Sequence, residues 1–299
     1  MKITKLGNNI DYIQPAETPF ASTSSTLFIK STPSIVIDLN LGKDDTTNFI
    51  KQHNPEIALL SHYHLDHSLD APIADNHDNT ELFIPEGETD YLTNLDYFIN
   101  NTCGPYEVSQ QFKNMIQHFL TFPKITNFKT YSNNETFKSK DVTVQTISVP
   151  GHSPSHTAFY IPEEKILFTS DIGIGNWGPW YGWIDSNIPQ YMESLFRLKT
   201  YKDVNLVTCH DGIFSENIED HWNVCINHFF ERELFIKKMM EQGSSKDDII
   251  DDGIYFKKKS KVAEPMKSLL RVQDEIMLEH HLDVINNGGL QKLFATYNY

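Results

Sequence analysis

Ser61-His62-Tyr63-His64-Leu65-Asp66-His67 decides how this chain is read, because it sets four metal-ligand side chains in six positions. Imidazole and carboxylate are favoured ligands of first-row metals. Crowding three imidazoles beside a carboxylate is awkward unless a cation organises them, since their charges change with pH. Just upstream, Glu56-Ile57-Ala58-Leu59-Leu60 is a short apolar run of the kind a buried strand shows. If the chain stays extended past Leu60, His62, His64 and Asp66 point to one side and His67 to the other. That alternation suggests two adjacent metal positions rather than one.

Three more strand ends carry donors of the same types. Val149-Pro150-Gly151-His152-Ser153-Pro154-Ser155-His156 ends a β run in a tight turn with two histidines. Ile166-Leu167-Phe168-Thr169-Ser170-Asp171 runs into a carboxylate, and Leu206-Val207-Thr208-Cys209-His210 into a histidine. Polar residues just past buried strands are where the active sites of layered folds collect. Taken singly, His152, Asp171 and His210 are as well explained by turn chemistry or a satisfied histidine. The opening cluster changes that, because a closed pair of metal sites needs further donors. Asp38, at the end of Ser34-Ile35-Val36-Ile37, carries the weakest signal, since carboxylates at strand ends are common in turns.

In this order, Asp38, His62-x-His64-x-Asp66-His67, His152, Asp171 and His210 resemble the motifs of the metallo-β-lactamase superfamily, in its glyoxalase II-like and lactonase-like branch. The resemblance implies an α/β, layered α+β fold: an αββα sandwich with a metal site along one edge and a C-terminal helical subdomain. It implies that His62, His64 and His152 bind a first metal, Asp66, His67 and His210 a second, and that Asp171 bridges them. Asp38 would orient ligands from behind. His156 matches the Pro-Gly-His-x-x-x-His pattern of glyoxalase II-like relatives and is expected to support a neighbour rather than bind metal. The implied cofactors are two divalent ions, zinc first, with iron or manganese also suited to a mixed His/Asp site. Such a pair acidifies a shared water, and the hydroxide attacks a small ester, thioester or lactone. Asp66 and Asp171 would then serve the chemistry as well as the metals.

The sequence departs from the family pattern in places that bear on substrate. Asp38-Leu39-Asn40 replaces the frequent Asp-x-Gly, and Ser155 stands where relatives often carry glycine. Several exported zinc β-lactamases have cysteine where Asp171 stands, which sets this chain apart from them. Asn176-Trp177-Gly178-Pro179-Trp180-Tyr181-Gly182-Trp183 reads equally as an aromatic wall beside the metals or as a buried loop anchored by its rings. On the first reading, Tyr181 is the hydroxyl placed to bond a substrate carbonyl or leaving group. Rival readings are a phosphodiesterase or nuclease of the same fold and a mononuclear-iron oxidoreductase of persulfide-dioxygenase type. A binding protein that merely keeps the fold is a third.

Around these motifs the first two hundred residues alternate short β runs with turns and helical stretches. Strands are expected at 26–30, 34–38, 57–60, 82–84, 142–149, 157–161, 165–169 and 204–208, with a hairpin about Pro162–Lys165. Helices are expected at 44–52, 89–100, 108–120 and 190–199. The aromatic-rich stretch from about 90 to 131 reads as a helical insertion, suited to a substrate lid or a homodimer contact. After His210 long helices follow, at 217–242 and near 265–281. We therefore expect a catalytic domain over 1–215 and a helical subdomain over 216–299. His53, His77, His118, His221, His228, His280 and His281 show no ligand pattern.

Composition excludes more than it identifies. A formal net charge of −15 argues against a nucleic-acid partner, since phosphate contacts need clustered lysine and arginine. The basic run Lys257-Lys258-Lys259-Ser260-Lys261 follows an acidic one and reads as solvated surface. No run approaches the about 20 apolar residues of a membrane helix, and the N-terminus lacks the apolar stretch of a signal peptide. Cys103, Cys209 and Cys225 are few and unpaired in spacing, and Cys209 reads as a core thiol. The expectation is a cytoplasmic protein with a small-molecule substrate.

Overall fold

β-branched and aromatic runs build two sheets in this computed structural model, which describes residues 1–16 and 23–297. The first holds β1 (Lys2–Lys5), β2 (Ile10–Gln14), β3 (Thr26–Ile29), β4 (Ile35–Ile37), β5 (Ile57–Leu59), β6 (Glu81–Pro85) and β7 (Phe128–Tyr131), in that spatial order. Neighbours are antiparallel from β1 to β4 and parallel from β4 to β7. The second holds β8 (Thr136–Lys138), β9 (Thr143–Ser148), β10 (Thr157–Ile161), β11 (Ile166–Phe168), β12 (Asn205–Val207) and β13 (Ile213–Phe214), again in sequence order across the sheet. Its one parallel pair is β11 with β12.

Side-chain alternation sorts the layers. Ile35, Ile37 and Leu59 of the first sheet pack with Phe159, Ile166, Phe168 and Val207 of the second. Val36 and Ala58, on the opposite face, join Phe49 and Ile50 of helix Lys43–His53. Leu167, on the outer face of the second sheet, meets Tyr191, Leu195, Trp222 and Phe229 from its covering helices. With both faces covered, a strand such as Ile166-Leu167-Phe168 is apolar throughout. Truncating Phe168 to alanine in such a core would cost about 3–5 kcal/mol. The result is the expected helix–sheet–sheet–helix sandwich. The helices after residue 215 share an apolar cluster with the second sheet, with Trp222, Phe229, Ile236 and Met277 in it. Among the described residues, no helix is long and apolar enough to cross a membrane.

The expected strands form to within a residue or two, and the 162–165 hairpin joins β10 to β11. Two expectations change. The helix expected at 89–100 divides at Asn94, whose backbone is extended and whose side chain caps the next helix by accepting from Asp96 and Tyr97 N–H. The basic run is not wholly solvated: Lys259 is buried and its Nζ lies 2.5 Å from the fully buried Asp274. The insertion is helical, ends in β7, and buries Phe98, Ile99, Phe112 and Ile116 against Trp183, Leu269 and Ile276.

Candidate metal centre

The ends of β4, β5, β11 and β12 lie at one edge of the sandwich, so the motifs that follow them converge. Asp38 N–H donates to Leu59 O, Thr169 N–H to Val207 O, and Cys209 N–H to Ser170 O, which locks the strand ends together. Past β5 the chain stays extended only as far as His64. Leu65–Ser68 is a helical turn, so Asp66 and His67 project from a helix and not in strand alternation. Alternation would have set Asp66 beside His62 and His64; the helical turn sets it beside His67 instead.

Two groups that share Asp171 result, each with its donor atoms within 4.8 Å of one another: His62, His64, His152 and Asp171, and Asp66, His67, His210 and Asp171. The carboxylate of Asp171 divides between them. Its Oδ2 lies 3.1 Å from His152 Nε2 and 3.9 Å from His62 Nε2. Its Oδ1 lies 3.0 Å from His210 Nε2 and 3.7 Å from His67 Nε2. Asp66 Oδ2 approaches His210 Nε2 at 3.0 Å and His67 Nε2 at 3.5 Å. His62 is closed from solvent, whereas the His210 side chain is 30% exposed, so the groups open on the second side.

The donor set fits metal ions. His64 Nε2 and His67 Nε2 are buried with no hydrogen-bond partner, and His62 Nε2 faces His152 Nε2 at 3.2 Å. Converging nitrogens of this kind repel unless a cation lies between them. The far ring atoms are oriented: His152 Nδ1 pairs with Trp180 O at 2.9 Å and His67 Nδ1 with Asp38 Oδ2 at 3.0 Å. Both are acceptors, so each Nδ1 carries the proton and each Nε2 turns its lone pair inward.

Charge follows burial and neighbours. Burial, then the facing histidines, depresses His62 well below the ordinary histidine value. His64 is depressed in the same way, by burial first and His152 next. Burial opposes a charge on His67, but Asp66 and Asp38 overcome it and raise that histidine well above normal. His210 behaves alike: against burial, Asp171 and Asp66 push it up to about 10. Asp66 and Asp171 are half-buried, which opposes their charge, yet their histidine neighbours hold both carboxyls below the usual range.

Asp38 is fully buried. It accepts from Ser61 N–H at 2.7 Å, Ser61 Oγ at 2.8 Å, Ser170 Oγ at 2.7 Å and Cys209 Sγ at 3.3 Å, besides His67. Cys209 is buried as expected, but it lies in this polar layer under the histidines. Asp171 N–H lies 3.4 Å from His156 Nε2, and the His156 ring stands 4.8 Å from that of His62. Ser61 and Ser170 each directly precede a ligand-type residue, and that adjacency is the one signal the sequence offers for them.

The aromatic loop needs a correction. Tyr181 is fully buried; its hydroxyl lies 2.8 Å from His281 Nε2 and its ring stacks on Phe229. It serves the core and does not supply a hydroxyl to the centre. Trp180 stands there instead, with its ring 5.4 Å from His64 and 5.7 Å from His152. Asp211 fastens the same loop by accepting from Ile174 and Gly175 N–H at 3.0 and 2.9 Å. A Cβ on Gly175 would meet Asp211 Oδ1 at 2.1 Å, so the approach requires glycine.

Comparison with known proteins agrees with the fold. The family model described as "Metallo-beta-lactamase superfamily" matches residues 19–210. A beta-lactamase domain protein from Burkholderia ambifaria superposes with TM-score 0.67 at 14% identity, over 95% of this chain and 88% of that one. A metallo-beta-lactamase family protein from Thermus thermophilus gives TM-score 0.68 at 13% identity, over 95% of each. At such identity these show the fold. An atrochrysone carboxyl ACP thioesterase from Cryptosporiopsis sp. is 25% identical over 119 residues, 40% of this chain; the match spans only 35% of that relative.

Proposed function

This chain belongs to the metallo-β-lactamase superfamily, and on that premise we propose a metal-dependent hydrolase of a small ester, thioester or lactone, with two divalent ions, zinc foremost. The observation that carries the reading is the division of Asp171, one oxygen toward His62 and His152 and the other toward His67 and His210. Bound there, a cation pair would supply an acidified water and a Lewis acid for the developing oxyanion. His62, His64 and His152 would hold one position, and Asp66, His67 and His210 the other. Asp171 spans both. Asp38 keeps His67 in the tautomer that binds, and His156 steadies the backbone of Asp171. Asp66 and Asp171 are the ionised groups on the open side, placed to accept a proton from an attacking water.

The substrate class draws support from three sides. The relative named as an ACP thioesterase favours a thioester. Trp180 lines the histidine side, and exposed Trp177 stacks on Tyr255. Arg232, the cation behind this loop, donates to Pro179 O and Trp177 O, so it is not free to clamp a phosphate. An acyl substrate fits these walls better than a phosphodiester. In this reading residues 1–215 carry the chemistry, and the helices after them brace the aromatic loop through Arg232. Buried free thiols at Cys103, Cys209 and Cys225 suit a reducing cytoplasm.

Elemental analysis beside a panel of thioesters, lactones and phosphodiesters tests the proposal. The expected result is about two metals per chain and acyl-substrate turnover that chelation abolishes. A single iron with no hydrolysis would sink it.

A further inference from the structure

Glu86-Gly87-Glu88 follows β6 as a short 3-10 turn, and an acidic turn of this kind ordinarily faces water. Glu86 does; Glu88 is fully buried. Its Oε2 accepts from Tyr63 N–H at 2.5 Å, and its Oε1 from Ser153 Oγ at 2.5 Å and Ser155 N–H at 2.9 Å. Tyr63 sits between His62 and His64, and Ser153 directly follows His152. One carboxylate therefore ties the loop that carries two of the converging histidines to the turn that carries the third. The approach is close enough that a Cβ on Gly87 would meet Ser155 Oγ at 2.1 Å.

The arrangement is more than a filled hydrogen-bond set. All three donors are neutral, and a buried carboxylate without a partner cation is costly. Burial pushes the Glu88 carboxyl up to about 8, and the nearby Asp185 adds to that. Asp185 in turn accepts from Tyr63 Oη at 2.9 Å. The buried Glu88 and the half-buried Asp185 thus stand behind one histidine group, in a place where a bound cation would offset their charge.

We propose that Glu88 is a positioning residue of the metal centre, holding His62 and His64 at the distance from His152 that one ion requires and balancing that ion's charge. This rests on the metal-binding reading above. Groups that orient metal ligands from behind typically change affinity by about 10–100-fold when replaced.

Titrating Co²⁺ into the chelator-stripped full chain, followed by its visible absorbance, tests this beside the melting temperature of each metal-free variant. Wild type should take up two Co²⁺. Glu88→Gln presents an amide N–H₂ to one of the backbone donors, so one Co²⁺ should bind about 10–100-fold more weakly with an altered band shape. Glu88→Asp keeps the charge on a shorter stem and should restore part of that affinity. Wild-type affinity and spectrum in Glu88→Gln, with only the metal-free melting temperature lowered, would overturn the proposal. If Glu88→Gln does not fold, Ser153→Ala removes one donor and keeps the charge; weaker binding of one Co²⁺ supports the proposal and unchanged binding overturns it. A wild-type chain that takes up no Co²⁺ would instead refute the metal reading itself.

Discussion

His67 Nδ1 donates to Asp38 Oδ2 at 3.0 Å, and neither side chain is exposed to solvent. This pair sets which His67 nitrogen is left for a metal, and Asp38 is itself held by two serines and a thiol. Asp38 also adopts a positive φ of 53°, which asparagine tolerates better than most residues. Asp38→Asn is therefore the clean substitution. We expect it to lower metal affinity by about 10–100-fold and stability by about 3–5 kcal/mol, the usual effect of breaking a buried charged pair. Denaturant titration with and without chelator separates the two, and a loss seen only without metal would contradict the first.

The metal-free protein should show a stability maximum near the ordinary histidine value of 6.5. His67 and His210 are raised above that value, so their contribution is full below 6.5 and lost as pH rises, for His210 through about 10. His62, His64 and His156 are lowered, so theirs is present above 6.5 and declines as pH falls beneath it. Metal binding must displace the protons held by His67 and His210, so affinity should rise with pH through neutrality. Melting temperatures in chelator across this range, with calorimetry in two buffers for proton release, check both statements. A metal-free melting temperature that climbs steadily to pH 9 would contradict them.

Arg232 forks its guanidinium between Pro179 O and Trp177 O, with the rings of Tyr181 and Tyr255 at 5.3 and 5.0 Å. Arg232→Met would leave both carbonyls without this donor, at a cost of about 2–4 kcal/mol. Trp177 would loosen, while Trp180 keeps the bond between its carbonyl and His152 Nδ1. The expected signature is a raised KM with metal content unchanged. Lysine should not rescue it, since one ammonium cannot reproduce the fork. Metal loss in Arg232→Met would show that the loop also holds the ligands.

Asp274 accepts from Tyr255 N–H and sits 2.5 Å from Lys259 Nζ, in a basic run whose sequence looks like surface. Removing one partner strands a buried charge, so Asp274→Ala should cost about 3–5 kcal/mol. The double replacement Lys259→Met with Asp274→Leu should cost much less, which urea unfolding of both variants beside the wild type would measure. Equal losses in single and double variants would argue that Asp274 acts mainly through its backbone donors.

What the sequence reveals here follows from range. Strands such as Ile166-Leu167-Phe168 and their terminal ligands are legible because apolar runs and the residues that end them are local signals. Asp171 falls at a strand end for the same reason. Edge strands such as Lys2–Lys5 are not legible: only one side chain of the four is apolar, and they depend on a partner for their shape. Glu88 and Lys259 look like solvated charge because their partners Ser153 and Asp274 lie far along the chain. The direction of Tyr181 is hidden from the sequence, since a Gly- and Pro-rich loop fixes no side chain until Arg232 and Asp211 grip it.

The division of Asp171 makes the two positions separable by mutation. His64 belongs only to the group with His62 and His152, and His210 only to the group with Asp66 and His67, whereas Asp171 belongs to both. His64→Ala and His210→Ala should each retain about one metal per chain, and Asp171→Ala close to none, since a bridging ligand serves both ions. Hydrolysis should fall in all three by about 10²-fold or more, because these side chains would hold the ions that supply an acidified water and a Lewis acid for the carbonyl. Elemental analysis after gel filtration gives the stoichiometry. Two metals in His64→Ala, or one in Asp171→Ala, would mean that the groups do not share their carboxylate as the 3.1 and 3.0 Å contacts to His152 and His210 suggest.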